Sequence, residues 1–250
     1  MILEVDNLEF SYSNVDVIRD VSFMVEEGEI VSILGPNGTG KTTLLKCLNR
    51  ILEPKNGCVI VDGHDAAVLG HINLSRKIGW VPQHGNASRM KVYDLILLGR
   101  KPYFRWSPSI EDYKKVEEAI CLMGIEELSM RYADEISGGE FQLVQIVRAL
   151  AQNPRVILFD EPTSSLDIAH QHQLMTRIRT LIHSSPMAAV LTMHDLNLAL
   201  RYCDKFILLK DGHIFASGGR DIINSENIRE VYNMEADIIE AGGFPLVVPV

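Results

Sequence analysis

Hydrophobic and polar positions divide the 250-residue chain into stretches of different period. Up to about residue 80, short apolar runs separated by turns predict strands at Glu29–Leu34 (EIVSIL), Gly57–Val61 (GCVIV) and Ile78–Val81 (IGWV). Beyond Pro154, the near-continuous apolar runs Val156–Phe159 (VILF), Ala188–Thr192 (AAVLT) and Phe206–Leu209 (FILL) follow. Strands without alternation are buried on both faces, the habit of parallel sheets covered by helices.

Between Gln83 and about Pro154 the period becomes helical. Tyr113, Val116, Ile120 and Met123 fall on one face of a 3.6-residue repeat. Ser109 suits an N-cap after the Ser107-Pro108 turn, and Gly124 suits a terminator. The pattern predicts an α/β parallel-sheet core over 1–83 and 155–220, a helical insert over 84–154 and a tail over 221–250. No repeat or low-complexity linker interrupts this single domain.

Composition narrows the partners. Hydrophobic residues at 46% and charged residues at 23% fit a folded globular chain. The formal charge of −9 argues against duplex nucleic acid and against electrostatic attachment to an anionic membrane. No apolar run reaches the ~20 residues of a membrane-spanning helix. The start, MILEVDNLEF, lacks the basic-then-apolar layout of a secretory leader. Cys47, Cys58, Cys121 and Cys203 show no metal-ligand spacing and read as buried thiols in a reducing compartment.

Gly35-Pro36-Asn37-Gly38-Thr39-Gly40-Lys41-Thr42 fits G-x-x-x-x-G-K-[ST] and follows the EIVSIL strand, with a helix expected over Thr42–Leu52. Glycines let successive N–H groups point at phosphate oxygens, and the helix start adds a favourable dipole. Lys41 is then the ligand of the β- and γ-phosphates and Thr42 a Mg²⁺ ligand. The VILF strand ends in Asp160-Glu161, at the sheet edge where such folds bind ligands. Asp160 suits Mg²⁺ and Glu161 suits a general base acting on water.

Together these residues resemble the ATP-binding-cassette (ABC) ATPases, and the resemblance runs to about residue 220. Ile136-Ser137-Gly138-Gly139-Glu140 is similar to the family's signature loop, Gln83 to its Q-loop glutamine, Ser164-Ser165-Leu166-Asp167 to its D-loop and His194 to its switch histidine. Tyr12 stands where the family stacks an aromatic ring on adenine. Taken alone, Tyr12 also fits a strand aromatic, Gln83 ordinary loop polarity and His194 a surface histidine. His170 and His172 read as solvated helix positions. Ser137-x-x-Glu140 is also a capping box, compatible with an anion-binding helix start.

The resemblance implies a P-loop NTPase core with an N-terminal antiparallel β portion and an α-helical insert. It implies ATP and Mg²⁺ held by Tyr12, Gly35, Asn37, Gly38, Thr39, Gly40, Lys41, Thr42, Thr43, Gln83, Ser137, Gly138, Gly139 and Asp167, with Thr42, Gln83 and Asp160 at the metal. Catalysis falls to Glu161, His194 and Lys41. The signature loop of one subunit faces the γ-phosphate of another, which implies a head-to-tail homodimer.

Two departures stand out. Glu140 replaces the usual glutamine, bringing a carboxylate near the expected phosphate, and Leu143 stands where arginine is usual. The stretch Lys91–Tyr103 and the tail Val231-Tyr232 … Gly243-Phe244-Pro245 are similar to the iron–siderophore, haem and cobalamin importer branch. That implies membrane permease subunits, through them a substrate-binding protein, and a peripheral place on the cytoplasmic face of the membrane. An importer ATPase for another small solute or metal oxyanion, a soluble ABC ATPase, as in iron–sulfur assembly, and a nucleotide-dependent binding switch remain as alternatives. Glu161 speaks against the switch.

Overall fold

The computed structural model describes residues 1–85 and 87–250. Strands β1 (Leu3–Tyr12) and β2 (Val15–Val25) form an antiparallel pair. β3 (Ile30–Leu34) leads into α1 (Lys41–Leu48), followed by β4 (Asn56–Val61), β5 (His64–Asp65), α2 (Ala66–Lys77) and β6 (Ile78–Val81). The insert carries α3 (Val92–Leu97), α4 (Ile110–Met123) and α5 (Gly138–Ala151). The core resumes with β7 (Val156–Asp160), α6 (Ile168–His183), β8 (Ala188–Thr192), α7 (Leu196–Tyr202), β9 (Lys205–Lys210) and β10 (His213–Gly218). The tail adds α8 (Ser225–Tyr232) and the hairpin β11 (Ala236–Ala241) and β12 (Phe244–Pro249).

The central sheet has the order β10-β9-β3-β8-β7-β6 and is parallel from β9 to β6, with β10 antiparallel at its edge. An antiparallel sheet, β2-β1-β4-β5, accompanies it. Residue parity along the central strands sorts the core into two clusters. Val156, Leu158, Val31 and Ile33 pack with α1 and the antiparallel sheet. Ile157, Phe159, Ala189 and Leu191 pack with the insert, α6–α8 and the terminal hairpin. The unbroken apolar runs therefore record burial on both faces.

Several expectations are corrected. The helix expected to reach Leu52 stops at Leu48, because Asn49 caps it and Arg50 adopts φ 51°. The region read as strands and turns contains α2, capped by the Asp65 side chain and bent at Gly70. Its Gly, His, Asn and Ser residues dilute the apolar period. In α4 the Ser109 cap and Gly124 terminator stand as expected, the latter at φ 62°. Tyr113 faces solvent, however, and Ala119 joins Val116, Ile120 and Met123 in the core. Of the cysteines, Cys47 and Cys203 are buried, Cys58 is half-buried and Cys121 is exposed.

The insert is pinned internally by a buried ion pair. Arg100 Nε donates to Asp112 Oδ1 at 2.9 Å, and Arg100 Nη1 donates to the Ala151 carbonyl at 3.0 Å. Asp112 also completes the Ser109 capping box, so one carboxylate ties the start of α4 to the end of α5.

Candidate active site

Four neighbouring strands, β3, β8, β7 and β6, bring four loops to one sheet edge. Each contributes a group from its C-terminal end: the glycine loop after β3, His194 after β8, Asp160-Glu161 at β7 and Gln83 after β6. Open parallel sheets bind ligands at such an edge.

The glycine loop is folded around its own lysine. Lys41 Nζ donates to the carbonyls of Gly35 at 2.6 Å and Pro36 at 3.0 Å, and the Thr39 hydroxyl also reaches the Pro36 carbonyl at 3.0 Å. A side chain at Gly35 would run into the Leu209 carbonyl of β9. Gly40 adopts φ 101°, and a Cβ there would lie 2.8 Å from Ile18 Cδ1. Glycine is the residue that fits both positions. Burial lowers the pKa of Lys41, opposed by the nearby Glu161 and Asp160 charges. Asn37, Gly38 and Thr43 belong to the same loop and first helical turn.

Asp160 is 4% exposed, and its Oδ1 accepts from Thr42 Oγ1 and from Thr192 Oγ1, each at 2.9 Å. The Thr192 hydroxyl in turn accepts from the Glu161 N–H at 3.0 Å. Glu161 adopts φ 49°, an uncommon conformation for a residue with a side chain. Its two carboxylate oxygens are shared, Oε2 accepting from Gln83 Nε2 and Oε1 meeting His194 Nε2. Gln83 therefore sits on Glu161 in this arrangement, while Thr42 and Asp160 form the oxygen pair.

The residues fit a phosphate ester with a hard divalent cation. Lys41 and the glycine amides suit phosphate oxygens. The hydroxyl of Thr42 and the carboxylate of Asp160 are hard oxygen donors, and such sites complete the magnesium shell with phosphate and water. Among the described residues no cluster of three His, Cys, Asp or Glu side chains forms a metal cage. The Thr42–Asp160 pair supplies two oxygen donors, fewer than a six-coordinate magnesium shell needs.

Tyr12 lies at the β1–β2 turn, paired with Val15, 48% exposed and edge-on to Phe10 with ring centroids 4.8 Å apart. The neighbouring Val17 backbone abuts Gly40, which places this hairpin beside the glycine loop.

Ser137, Gly139 and Asp167 line a different cleft, of about 360 Å³, together with Leu143 and Arg177. The Ser137 hydroxyl donates to Glu140 Oε2 at 2.8 Å, and the Ser137 N–H donates to the same oxygen at 2.7 Å. These bonds hold Glu140 against the cap and lower its pKa, with Arg131 3.7 Å from Oε1. Gly138 opens α5, where amides have no intrahelical partner. Asp167 caps α6, accepting from the His170 N–H at 2.9 Å. His172 is not solvated: it is half-buried, with Nδ1 2.9 Å from the Tyr202 hydroxyl.

Sequence reasoning missed Thr192 as a member of the site. A hydroxyl at the last position of an apolar strand, beside the strand ending in Asp160, was the available signal.

The chain matches the ABC transporter family over residues 18–164. It is 48% identical over 250 residues to an uncharacterized ABC transporter ATP-binding protein of Methanocaldococcus jannaschii, covering 100% of this chain and 98% of that one. It is 33% identical over 253 residues to a petrobactin import ATP-binding protein of Bacillus anthracis, covering 99% and 93% of the two chains. Among solved structures it resembles an inward-facing ABC transporter assigned to the metal-chelate type, at a TM-score of 0.86 and 30% identity, covering 100% of this chain and 96% of that one. A glycine loop, a carboxylate pair and a family match over more than half the chain agree: this protein belongs to the ABC transporter family and is one of its ATP-hydrolysing subunits.

Proposed function

We propose that the chain powers import of a metal chelate through a separate membrane permease. The observation that carries the catalytic part is the Glu161 carboxylate, set between Gln83 and His194 beside the Lys41 loop and the Asp160–Thr42 pair.

In this reading Lys41 releases the Gly35 and Pro36 carbonyls and takes the β- and γ-phosphates, while the amides of Gly38–Thr43 line the remaining oxygens. Tyr12 stacks on the adenine, as its half-exposed ring beside the loop permits. Thr42 and Asp160, with Gln83 once released from Glu161, would hold Mg²⁺, which would supply neutralisation of the phosphate charge. Glu161 exchanges its Gln83 hydrogen bond for one to water and orients that water for in-line attack. His194, one bond away, supports the γ-phosphate.

Ser137, Gly139 and Asp167 line a cleft that contains none of the residues 35–43, and Gly138 opens the helix between them. Their part is played across a head-to-tail pair, where the start of α5 meets the γ-phosphate held by a second copy. With Glu140 turned back on its cap, the helix start remains suited to an anion.

The permease is received by a groove of about 820 Å³ between α2 and the turn at 98–104, lined by Ile51, Ile72, Arg76, Leu98, Lys101 and Phe104. Among the described residues no helix is long and apolar enough to cross a membrane. The chain works on the cytoplasmic face, and a substrate-binding protein delivers the chelate to the permease. The petrobactin import relative and the transporter assigned to the metal-chelate type support this cargo.

The test is purification of the natively expressed chain from detergent-solubilised membranes. Recovery with a permease, and ATP-dependent uptake of a ferric chelate by vesicles holding the complex, supports the reading. Recovery of the chain with no membrane subunit sinks it.

A further inference from the structure

The tail beyond residue 220 has no part in the chemistry above, yet it is fastened to the helix that follows His194. That helix, α7, is seven residues long, and a helix so short is marginal alone, so its place depends on what packs against it. Its start is capped by Asp195, whose Oδ1 accepts the Leu198 N–H at 2.9 Å. Just upstream, the Met193 N–H reaches the Ile33 carbonyl of β3 at 3.3 Å. His194 therefore sits between a strand anchored in the sheet and a short helix that needs outside support.

Much of that support is β12. In the first turn of α7, Asn197 donates from Nδ2 to the Val247 carbonyl at 3.2 Å, and its Oδ1 accepts the Val247 N–H at 2.7 Å. Near the other end of the helix, the Arg201 guanidinium lies over the Phe244 ring, 5.2 Å from its centre. The hairpin thus runs along α7 as a splint.

The strand is selective in what it offers. The Val250 N–H donates to the Glu235 carbonyl at 3.1 Å, so by alternation the even-numbered positions turn their N–H groups toward β11. Positions 245, 247 and 249 turn outward, and two of them, Pro245 and Pro249, have no N–H to give. Val247 is the outward donor that remains, and Asn197 meets it with an amide oxygen and an amide N–H, as a neighbouring strand would. A slip by two residues would set a proline against the asparagine oxygen, so the tail fits α7 in one register.

We propose that Asn197 is a positioning residue for His194: by locking β12 to the first turn of α7, it fixes the imidazole against the Glu161 carboxylate. The hairpin at 236–249 is then a working part of the hydrolysis site. This rests on the reading of His194 as a support of the γ-phosphate.

Asn197→Leu keeps most of the side chain's bulk and deletes both bonds. The test compares wild type, Asn197→Leu, His194→Ala and the double variant by single-turnover hydrolysis at saturating ATP, by ATP affinity and by thermal unfolding. Asn197→Leu should slow hydrolysis by about 3- to 30-fold, within the ~10²-fold that a displacement of about 1 Å can cost. ATP affinity should stay at the wild-type value, because the residues of the phosphate loop and Tyr12 are untouched. In the His194→Ala background the same change should cost no further activity, since no imidazole is left to place. The fall in melting temperature should be alike in both backgrounds, which separates the structural effect from the catalytic one. An equal loss of rate in both backgrounds, or no loss in either, overturns the proposal, because the clamp then serves the fold alone. A His194→Ala protein that hydrolyses at the wild-type rate removes the reading of His194, and the proposal with it. Should Asn197→Leu not fold, Asn197→Asp, which keeps the acceptor of the shorter bond, takes its place with the same outcomes deciding.

Discussion

The imidazole Nε2 of His194 and the carboxylate of Glu161 are hydrogen-bonded across the tips of the neighbouring strands β8 and β7. With Gln83 on the other oxygen, the carboxylate has both oxygens engaged before any substrate arrives. Its backbone is fixed as firmly, at φ 49° with the N–H bonded to Thr192. A group held from three directions is placed for orientation.

Glu161→Gln keeps the size and the hydrogen-bonding capacity of this side chain and removes its basicity. The variant should bind ATP with wild-type affinity and lose turnover by about 10²- to 10⁴-fold, the usual worth of a positioned general base. Phosphate release at the wild-type rate would remove Glu161 from the mechanism.

Ser137→Arg addresses the separation of the two halves of the site. Because Ser137 lines a cleft apart from the glycine loop, nucleotide binding should persist. The arginine blocks the start of α5, so the ATP-dependent dimer should not form. Sedimentation of the hydrolysis-deficient Glu161→Gln protein with and without the second change checks this, and a normal ATP-bound dimer in the double variant refutes the shared site.

Lys41 gives a pH dependence of defined sign. Burial lowers its pKa in the free protein, and a bound phosphate raises it. ATP affinity should therefore hold at neutral pH and decline as pH rises through the lowered free-protein value, below the ordinary lysine range near 10.4. Lys41→Met should bind weakly and lack that alkaline decline. An identical decline in the variant assigns the titration to another group.

How much of this was legible in the sequence depended on the range of the interactions concerned. Strand positions in the core came through because burial on both faces writes unbroken apolar runs, as in VILF and AAVLT. The Ser109 and Ser137 caps came through because capping is a relation across three residues. Most of what did not come through at the site is long-range. Thr192 joins Asp160 only because β8 lies beside β7, a pairing 32 residues apart in the chain. Arg100, read within a subtype segment, is spent on Asp112 and the Ala151 carbonyl. His172 finds Tyr202 30 residues away and so leaves solvent. In α2 the weak amphipathic period, broken at Gly70, carried too little signal.

The Arg100–Asp112 pair yields a stability prediction. Both side chains are almost fully buried, at 4% and 3% exposure. Removing one partner strands the other charge, so Asp112→Ala should destabilise the chain by about 3–5 kcal/mol in denaturant unfolding. Burial alone would raise the Asp112 pKa, but hydrogen bonds from Ser109 and Arg100 outweigh it and leave the pKa lowered. With the folded value below the unfolded one, the contribution is fully present above the unfolded carboxylate pKa of about 3.9. It is lost as pH falls through the lower folded value. Wild type should thus lose stability on acidification more steeply than Asp112→Asn, and parallel pH profiles would show that this carboxylate is not ionised in the fold.

Thr192 provides the last prediction, because its buried hydroxyl serves two masters, donating to Asp160 and accepting from the Glu161 N–H. Thr192→Val keeps the shape and deletes both bonds, leaving the Glu161 N–H without that acceptor at a cost of about 1–3 kcal/mol. The loss falls on the two residues that set the cation ligand and the base. Turnover should therefore drop at least as far as stability does, and the Mg²⁺ concentration needed for half-maximal hydrolysis should rise. Thr192→Ser, which restores the hydroxyl, should recover the Mg²⁺ dependence even where the lost methyl still lowers stability. If Ser and Val behave alike, Thr192 is there for packing, and the alignment of Asp160 with Glu161 is set by the strands alone.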